Sequence, residues 1–233
     1  GKSIHTDFRP PSAGPYVFNE GELENFRRRG KDLREVKAEK AEQTGKFYGL
    51  MMDHVRKVLS DVKRVYPGYN EEKGYELAGF VWFQGWNDMV ASGTYPNRGQ
   101  PGGYDAYTDC LAHFIRDVRK DLEAPKMKFV IGVMGVGGPL EQYASQRYVP
   151  IHGAFREAMA APSLMPEFKG NVFAVRTAKF WDMRLKELED NQQRVKQMAG
   201  FLKNKHREHA NRDGSMSASE QKEYVEKYRR KLI

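Results

Sequence analysis

Residues 77–88 read LAGFVWFQGWND, and they contain the strongest strand signal in the chain. The run LAGFVWF is the most apolar stretch and is rich in aromatic and β-branched side chains. This composition predicts a strand over Tyr75–Phe83 that is buried on both faces. Gly85, Asn87 and Asp88 follow at once. A strand that ends in such a turn is a suitable place to hold a polar group.

Two later segments, Lys128–Met134 (KFVIGVM) and Asn171–Thr177 (NVFAVRT), have the same buried-strand character. Apolar residues at helical spacing predict helices over Tyr107–Val118 and Val149–Ala161, between the strands. The alternation of strand and helix predicts parallel βαβ units and a three-layer α/β sandwich. In open sheets of this kind ligands bind beyond the carboxyl ends of the strands, where FQGWND lies.

Charged helical segments flank this alternating region. A single long helix is predicted over residues 33–65, where Pro67 and Gly68 end the pattern. A second charged helix is predicted from Asp182 to about His209. The last helix begins at Ser217 and forms a helical hairpin with the one before it. We therefore predict an α/β domain over residues 1–181 and a helix-loop-helix extension over residues 182–233.

Composition limits the possible partners. The net charge is +8, with 39 Lys and Arg against 31 Asp and Glu. Acidic residues alternate with the basic ones, which argues against a nucleic-acid surface. The chain lacks the run of about 18 apolar residues that a membrane span needs. The single cysteine, Cys110, lies on the apolar side of a helix pattern and is expected to be buried and inert.

The turn after the first strand has two readings. The Asn87 amide can donate a hydrogen bond to a developing oxyanion, while Asp88 holds the loop by accepting backbone N–H groups. Alternatively, Gly85 and Asn87 are simply turn residues, because glycine and asparagine are common in turns.

The run Trp82–Asp88 (WFQGWND) resembles the Gly-Xaa-Asn-Asp block of the SGNH (GDSL-type) hydrolases. It is most similar to the version found in sialate O-acetylesterases and in the acetylxylan esterases of carbohydrate esterase family six. Residues 1–4 (GKSI), 155–158 (FREA) and 171–182 (NVFAVRTAKFWD) resemble further parts of this family. The resemblance implies an SGNH/flavodoxin-like sheet and covers roughly residues 1–182.

What the resemblance implies is serine-type hydrolysis of acetyl esters on sugars. Asn87 would be the oxyanion donor, Gly85 its turn glycine, and Gly1 part of the second oxyanion block. Gln84 and Asp88 are predicted to contact the acetylated carbohydrate substrate. The family also suggests an exported or periplasmic protein.

Two family blocks are missing from the chain: the serine nucleophile block and the closing Asp-Xaa-Xaa-His. Ser3 belongs to a different block. We therefore expect the chain to be cut at both ends, with the catalytic serine and histidine outside it, and to be inactive alone. Asp182 has two readings, as an acid that orients the missing histidine or as a helix cap.

The loop between the two C-terminal helices resembles a degenerate EF-hand loop over residues 209–220. His209 replaces the usual first aspartate, so calcium binding is expected to be weak or absent, and no cofactor is expected to be required. The leading alternative to an esterase is a binding module that uses this helical hairpin. The candidate calcium ligands in the loop are Asn211, Asp213, Ser215, Ser217 and Glu220.

Three other signals are weak. The loop 135–139 (GVGGP) lacks the third glycine of a dinucleotide fingerprint. The pairs Asp109 with His113 and His206 with His209 have the spacing of metal ligands. Solvated helix faces are the simpler explanation of both pairs.

Overall fold

The structure, a computed structural model, describes residues 1–143 and 146–233. It divides the chain into two compact units, Gly1–Lys179 and Phe180–Ile233. The first unit contains the sheet and the helices that connect its strands. The second unit contains two long helices.

The described residues form three strands and eight α-helices, in addition to short 3₁₀ turns. The strands are β1 (Gly79–Trp82), β2 (Lys128–Val133) and β3 (Val172–Arg176). The helices are α1 (Glu20–Arg28), α2 (Leu33–Gln43), α3 (Lys46–Leu59), α4 (Trp86–Val90), α5 (Asp105–Asp121), α6 (Val149–Ala160), α7 (Met183–Lys203) and α8 (Ala218–Leu232).

The three strands form one parallel sheet in the order β1-β2-β3. Its register pairs Phe80 with Phe129 and Phe129 with Val172. Helix α5 connects β1 to β2, α6 connects β2 to β3, and the two helices pack against each other. The parallel α/β class predicted from the sequence is confirmed.

The core lies on the face of the sheet that α5 covers. Phe114 of α5 is fully buried, with its ring centroid 4.3 Å from that of Trp82. The rings of Phe80 and Phe129 stack with centroids 5.0 Å apart. The large aromatic side chains explain why three short strands suffice to anchor the helices, since each buries a large apolar area.

The prediction that the first strand is buried on both faces is wrong. Trp82 is buried, but Val81 is 70% exposed and Phe83 is 66% exposed. Successive side chains in a strand point to opposite faces. On β3, Phe173 and Val175 are likewise exposed. Across the described residues, the second face of the sheet therefore presents apolar side chains to solvent. The strand is also shorter than the predicted Tyr75–Phe83.

The prediction of one helix over residues 33–65 is also wrong. The helical path breaks between α2 and α3 at Gly45, which has a φ of 74°. The N–H of Gly45 donates to the carbonyl of Thr6, and the N–H of Phe47 donates to the carbonyl of Asp7. These contacts with the N-terminal segment replace the intrahelical hydrogen bonds that a continuous helix would make.

In the second unit, both predicted helix starts are confirmed. The Asp182 carboxylate accepts a hydrogen bond from the N–H of Leu185 and caps α7. Ser217 and Glu220 form the capping box of α8. The capping reading of Asp182 is therefore confirmed. No helix among the described residues is long and apolar enough to cross a membrane.

Candidate active site

The polar turn after β1 and Met134, the residue after β2, meet at the carboxyl edge of the sheet. Here they border an open cleft of about 360 Å³. The N-terminal residues Gly1 and Lys2 form another part of its wall. From the turn, the wall includes Gln84, Gly85, Trp86 and Asn87.

Asn87, on α4, presents its side chain to this cleft. The side chain is half-buried, and its amide makes no hydrogen bond to any residue in 1–143 or 146–233. The backbone of Gly1 lies directly against it, because a Cβ atom at position 1 would overlap the Asn87 amide. The arrangement therefore holds an amide donor beside a glycine backbone at a site that a ligand can reach.

Asp88 is fully buried and connects α4 to the N-terminal segment. Its carboxylate accepts hydrogen bonds from the N–H groups of Ile4 at 2.9 Å and His5 at 3.1 Å. The Gln84 amide donates to it at 2.9 Å and the Tyr95 hydroxyl at 3.4 Å. Burial raises the pKa of Asp88, while the hydrogen bonds from Gln84, Ile4 and His5 act in the opposite direction.

Gln84 gives a second link between the turn and the N-terminal segment. Its side-chain NH₂ group also donates to the carbonyl of Lys2 at 2.7 Å. The side-chain oxygen, Oε1, is buried without a partner among the described residues. Beneath the segment, Cys110 is buried as predicted, and burial raises the pKa of its thiol to about 12. The segment carrying Gly1 is thus fixed by hydrogen bonds to both sides of Gly85.

Gly85 is required at its position by a close approach. A Cβ atom there would lie 2.7 Å from Cε1 of Phe155, whose ring is fully buried on α6. The ring packs against Tyr104 and Tyr107 and has little room to move. The strand-to-helix turn can therefore sit on α6 only because residue 85 lacks a side chain.

We expect Gly85→Ala to lower the free energy of unfolding by about 1–3 kcal/mol, the usual cost of overpacking. Chemical denaturation monitored by circular dichroism measures the change. Gly93→Ala is the matched control, because a Cβ atom at Gly93 meets nothing within 4 Å. Equal stability of the two variants would contradict the packing argument.

His5 lies on the buried side of the N-terminal segment. Its Nδ1 is 3.1 Å from the Tyr95 hydroxyl, and its ring meets that of Tyr16 edge to face. Burial lowers the pKa of His5 to about 4, and the positive charges of Arg9 and Lys40 add to this effect. The neutral imidazole is therefore part of the folded state.

This pKa makes stability depend on pH. Unfolded His5 takes up a proton below about pH 6.5, whereas folded His5 does so only below about pH 4. The unfolded state thus binds more protons within this window, and stability falls as the pH falls through it. Between pH 7 and pH 5 we expect His5 to account for a loss of about 1–2 kcal/mol. Urea titrations of wild type and His5→Asn measure it.

The control for this titration is His54→Asn, which replaces an exposed histidine on α3. The His54 variant is expected to keep the wild-type pH dependence, while the His5 variant loses part of it. The same slope in all three proteins would show that His5 is not responsible.

Comparison with known proteins assigns the chain to a family. Residues 30–198 match the family model described as SASA: carbohydrate esterase, sialic acid-specific acetylesterase. The chain belongs to this family. The match includes the turn with Gly85, Asn87 and Asp88, whereas Gly1 lies before the matched range. No curated protein and no solved structure matches the chain.

A second cavity of the SASA domain, of about 310 Å³, lies at the ends of β2 and β3. Arg156, on its wall, is buried and donates to the carbonyls of Val136 and Gly138 and to the Tyr143 hydroxyl. The Tyr143 hydroxyl is also 2.8 Å from Nδ1 of His152. This network fixes the glycine-rich loop after β2, which forms a wall at the carboxyl edge of the sheet.

One serine in the described part of the SASA chain makes a hydrogen bond with a histidine ring. Oγ of Ser12 is 2.8 Å from Nδ1 of His113. Asp117 lies nearby, but its carboxylate accepts from the N–H of Ser12, not from His113. Neither Ser12 nor His113 borders the cleft. The contact joins the N-terminal segment to α5. The pair is not placed to act as nucleophile and base beside the Asn87 amide.

Several polar side chains in the loop over residues 209–220 make hydrogen bonds to nearby protein groups. Asn211 is buried, donates to the carbonyl of Leu202 and accepts from the N–H of Met216. Asp213 accepts from the N–H and hydroxyl of Ser215, and Glu220 accepts from Ser217. Within 1–143 and 146–233, no group of three or more His, Cys, Asp or Glu side chains is arranged to hold a metal. Calcium binding stays a prediction.

Sequence reasoning missed two aromatic residues of the cleft. Phe83 and Trp86 both lie on its wall, and their side chains are 66% and 50% exposed. Large exposed aromatic side chains at a concave site are typical of ligand contacts. Their position on either side of Gly85 was the available signal, but Phe83 was read as part of a buried strand.

Proposed function

We propose that the chain contributes the oxyanion-binding part of a serine-type carbohydrate O-acetylesterase. The observation that carries the proposal is the Asn87 amide, which has no partner among the described residues, faces an open cleft and lies against the Gly1 backbone. The SASA family supports ester hydrolysis on a carbohydrate. A donor held in place before the reaction stabilises the tetrahedral intermediate more than the substrate, and therefore accelerates the reaction.

In the proposed reaction a serine attacks the acetyl carbonyl and a histidine takes the serine proton. The resulting oxyanion accepts hydrogen bonds from the Asn87 amide and from a backbone N–H of the Gly1 segment. The intermediate then collapses, the bond between the acyl carbon and the sugar oxygen breaks, and the histidine gives its proton to that departing oxygen. In the second half, the histidine takes a proton from water, which attacks the acetyl-serine, and returns it to the serine oxygen as acetate leaves. We place this serine and histidine outside the 233 residues. The arrangement of Ser12 and His113, away from the cleft, supports that placement.

The proposal divides the residues of the turn into two roles. Gly85 and Asn87 act at the cleft. Asp88 is revised from a substrate contact to a positioning residue, because a fully buried carboxylate that already accepts four hydrogen bonds has no surface for a ligand. Gln84 borders the cleft, but its amide donates inward, which favours the same positioning role.

The aromatic wall supports a sugar as the substrate. The rings of Phe83 and Trp86 provide flat apolar surfaces beside the Asn87 amide. The apolar face of a sugar ring can stack on such a surface while its hydroxyl groups stay hydrated. We propose an O-acetylated sialic acid as the substrate, with acetylated xylan as the alternative, and no cofactor in the reaction.

Acetate release tests this function. The protein that contains this chain together with the serine and histidine blocks is expected to release acetate from O-acetylated sialic acid. The 233-residue chain alone is expected to release none above the buffer rate. The measurement is acetate quantified by ¹H NMR, with acetylated xylan as the second substrate. If the complete protein released acetate from neither sugar, the proposal would be wrong. Hydrolysis by the isolated chain would place the nucleophile within it.

A further inference from the structure

A third cavity, a groove larger than the two described above, lies in the N-terminal part of the first unit. It has a volume of about 500 Å³, within the range of small-molecule sites. One wall is the segment Pro15–Phe18, another is Leu23 of α1, and the third is one face of α2. None of its lining residues borders the cleft with Asn87.

The basic and acidic side chains of α2 lie on opposite faces of the helix. Lys37, Lys40, Ala41 and Thr44 line the groove. Residues three, four and seven apart lie on one face of a helix, so these four share a face. By the same spacing, the acidic residues Glu35, Glu39 and Glu42 lie on the opposite face. The helix therefore turns its positive and small side chains toward the groove and its negative ones away.

The charges of the two lysines are not paired within the described part of the chain. Neither forms an ion pair with a carboxylate in residues 1–143 or 146–233. The Nζ atom of Lys40 lies 4.6 Å from the centre of the Tyr16 ring, a cation–π contact that positions it at the groove. The lowered pKa of His5 is due mainly to burial, and the positive charges of Arg9 and Lys40 add to it. Two ammonium groups without an ion-pair partner among the described residues therefore border the groove, while the Glu22 carboxylate nearby accepts from the Tyr16 hydroxyl.

The remaining wall atoms are mainly apolar. Val17 is 73% exposed, although it is a large aliphatic side chain, and Leu23 and Phe18 complete the apolar wall. The polar groups nearby are already used: the Tyr16 hydroxyl donates to Glu22, and the Thr44 hydroxyl donates to the carbonyl of Lys40. A ligand that suits this lining has an apolar body and an anionic head group.

We propose that this groove binds an amphiphilic anion, with its apolar body against Val17, Phe18 and Leu23 and its anionic group between Lys37 and Lys40. The inference is independent of the esterase proposal, because it uses neither Asn87 nor the cleft. An anionic group that meets two ammonium groups gains charge-assisted hydrogen bonds, and the apolar body gains from removal of surface from water.

The test is isothermal titration calorimetry of the 233-residue chain with octanoate as the probe. We expect a Kd of about 10⁻⁵–10⁻⁴ M, in the range between micromolar and millimolar affinity. Octanol is the neutral probe with the same apolar body and is expected to bind at least about tenfold more weakly. Equal affinity for the two probes, or no heat with about 1 mM octanoate, would overturn the proposal.

Variants distinguish binding in the groove from nonspecific attraction to surface charge. The double variant Lys37→Met, Lys40→Met keeps an unbranched side chain at both positions but removes both charges, and is expected to weaken octanoate binding at least about tenfold. Ala41→Trp keeps both lysines but fills the groove from an exposed position, and is expected to abolish binding. Lys57→Met, at an exposed lysine of α3 outside the groove, is the control and should bind as wild type does. Unchanged affinity in either groove variant would contradict the proposed site.

Discussion

Replacing Asn87 with alanine is expected to lower kcat on an acetyl ester by about 10²–10³-fold, the usual effect of losing one oxyanion-hole donor. The physical reason is that the Asn87 amide is held at the cleft with no competing hydrogen bond among the described residues. Stability should change little, since removal of this side chain breaks no hydrogen bond of the fold. The measurement is steady-state hydrolysis of an acetyl ester by the protein that also carries the serine and histidine blocks.

Three further variants make this test specific. Asn87→Asp keeps the shape but removes the donor, so it is expected to be as impaired as Asn87→Ala. Asn97→Ala removes an exposed asparagine side chain outside the cleft and should keep full activity. Ser12→Ala removes the serine that contacts His113 and should also keep full activity. A wild-type kcat in both Asn87 variants would contradict the proposal that Asn87 donates to the oxyanion.

Replacing Asp88 with alanine is expected to lower the free energy of unfolding by about 2–4 kcal/mol. The change leaves the N–H groups of Ile4 and His5 and the amide of Gln84 without their acceptor in a buried place. Each unsatisfied buried donor costs about 1–3 kcal/mol, and removal of a buried carboxylate offsets part of the sum. Urea denaturation measures the loss.

The control is Asp53→Ala, which removes an exposed carboxylate of α3 that has only a surface ion pair with Arg56. Its effect should stay within about 0.5 kcal/mol. Hydrogen exchange gives a second readout: the amides of Ile4 and His5 should lose protection in Asp88→Ala and keep it in Asp53→Ala. Retained protection in the Asp88 variant would show that other contacts hold the segment.

The sequence was sufficient to predict the parts of the fold that depend on local pattern. The spacing of Tyr107, Leu111, Phe114 and Val118 gave α5, and all four of these side chains are buried. Asp182 and Ser217 marked two helix starts because capping chemistry acts over three residues. The run of aromatic and β-branched residues around Val81 gave the strand.

The failed predictions concern contacts between distant parts of the chain. The helix break at Gly45 depends on carbonyl groups of Thr6 and Asp7, which no local pattern in residues 33–65 reveals. The exposed face of β1 and β3 depends on what packs over the sheet, which composition does not reveal: the same residues fit a strand buried on one face or on both.

The candidate site shows the same division. The residue types of the turn pointed to Asn87, but the burial of Asp88 became visible only once Ile4 and His5 were seen to donate to it. The aromatic walls Phe83 and Trp86 were missed for a similar reason, because an aromatic residue beside a buried strand is usually part of the core.

The contact between Asp88 and Ile4 has a kinetic consequence. It joins residues 84 positions apart, so the chain must close a large loop before the Gly1 segment meets Asn87. The entropy lost on closure grows with loop length, and domains dominated by such distant contacts fold slowly. Helices such as α5 can form from neighbouring residues alone. We therefore expect the contact between the N-terminal segment and the Asn87 turn to form late in folding, after helices such as α5.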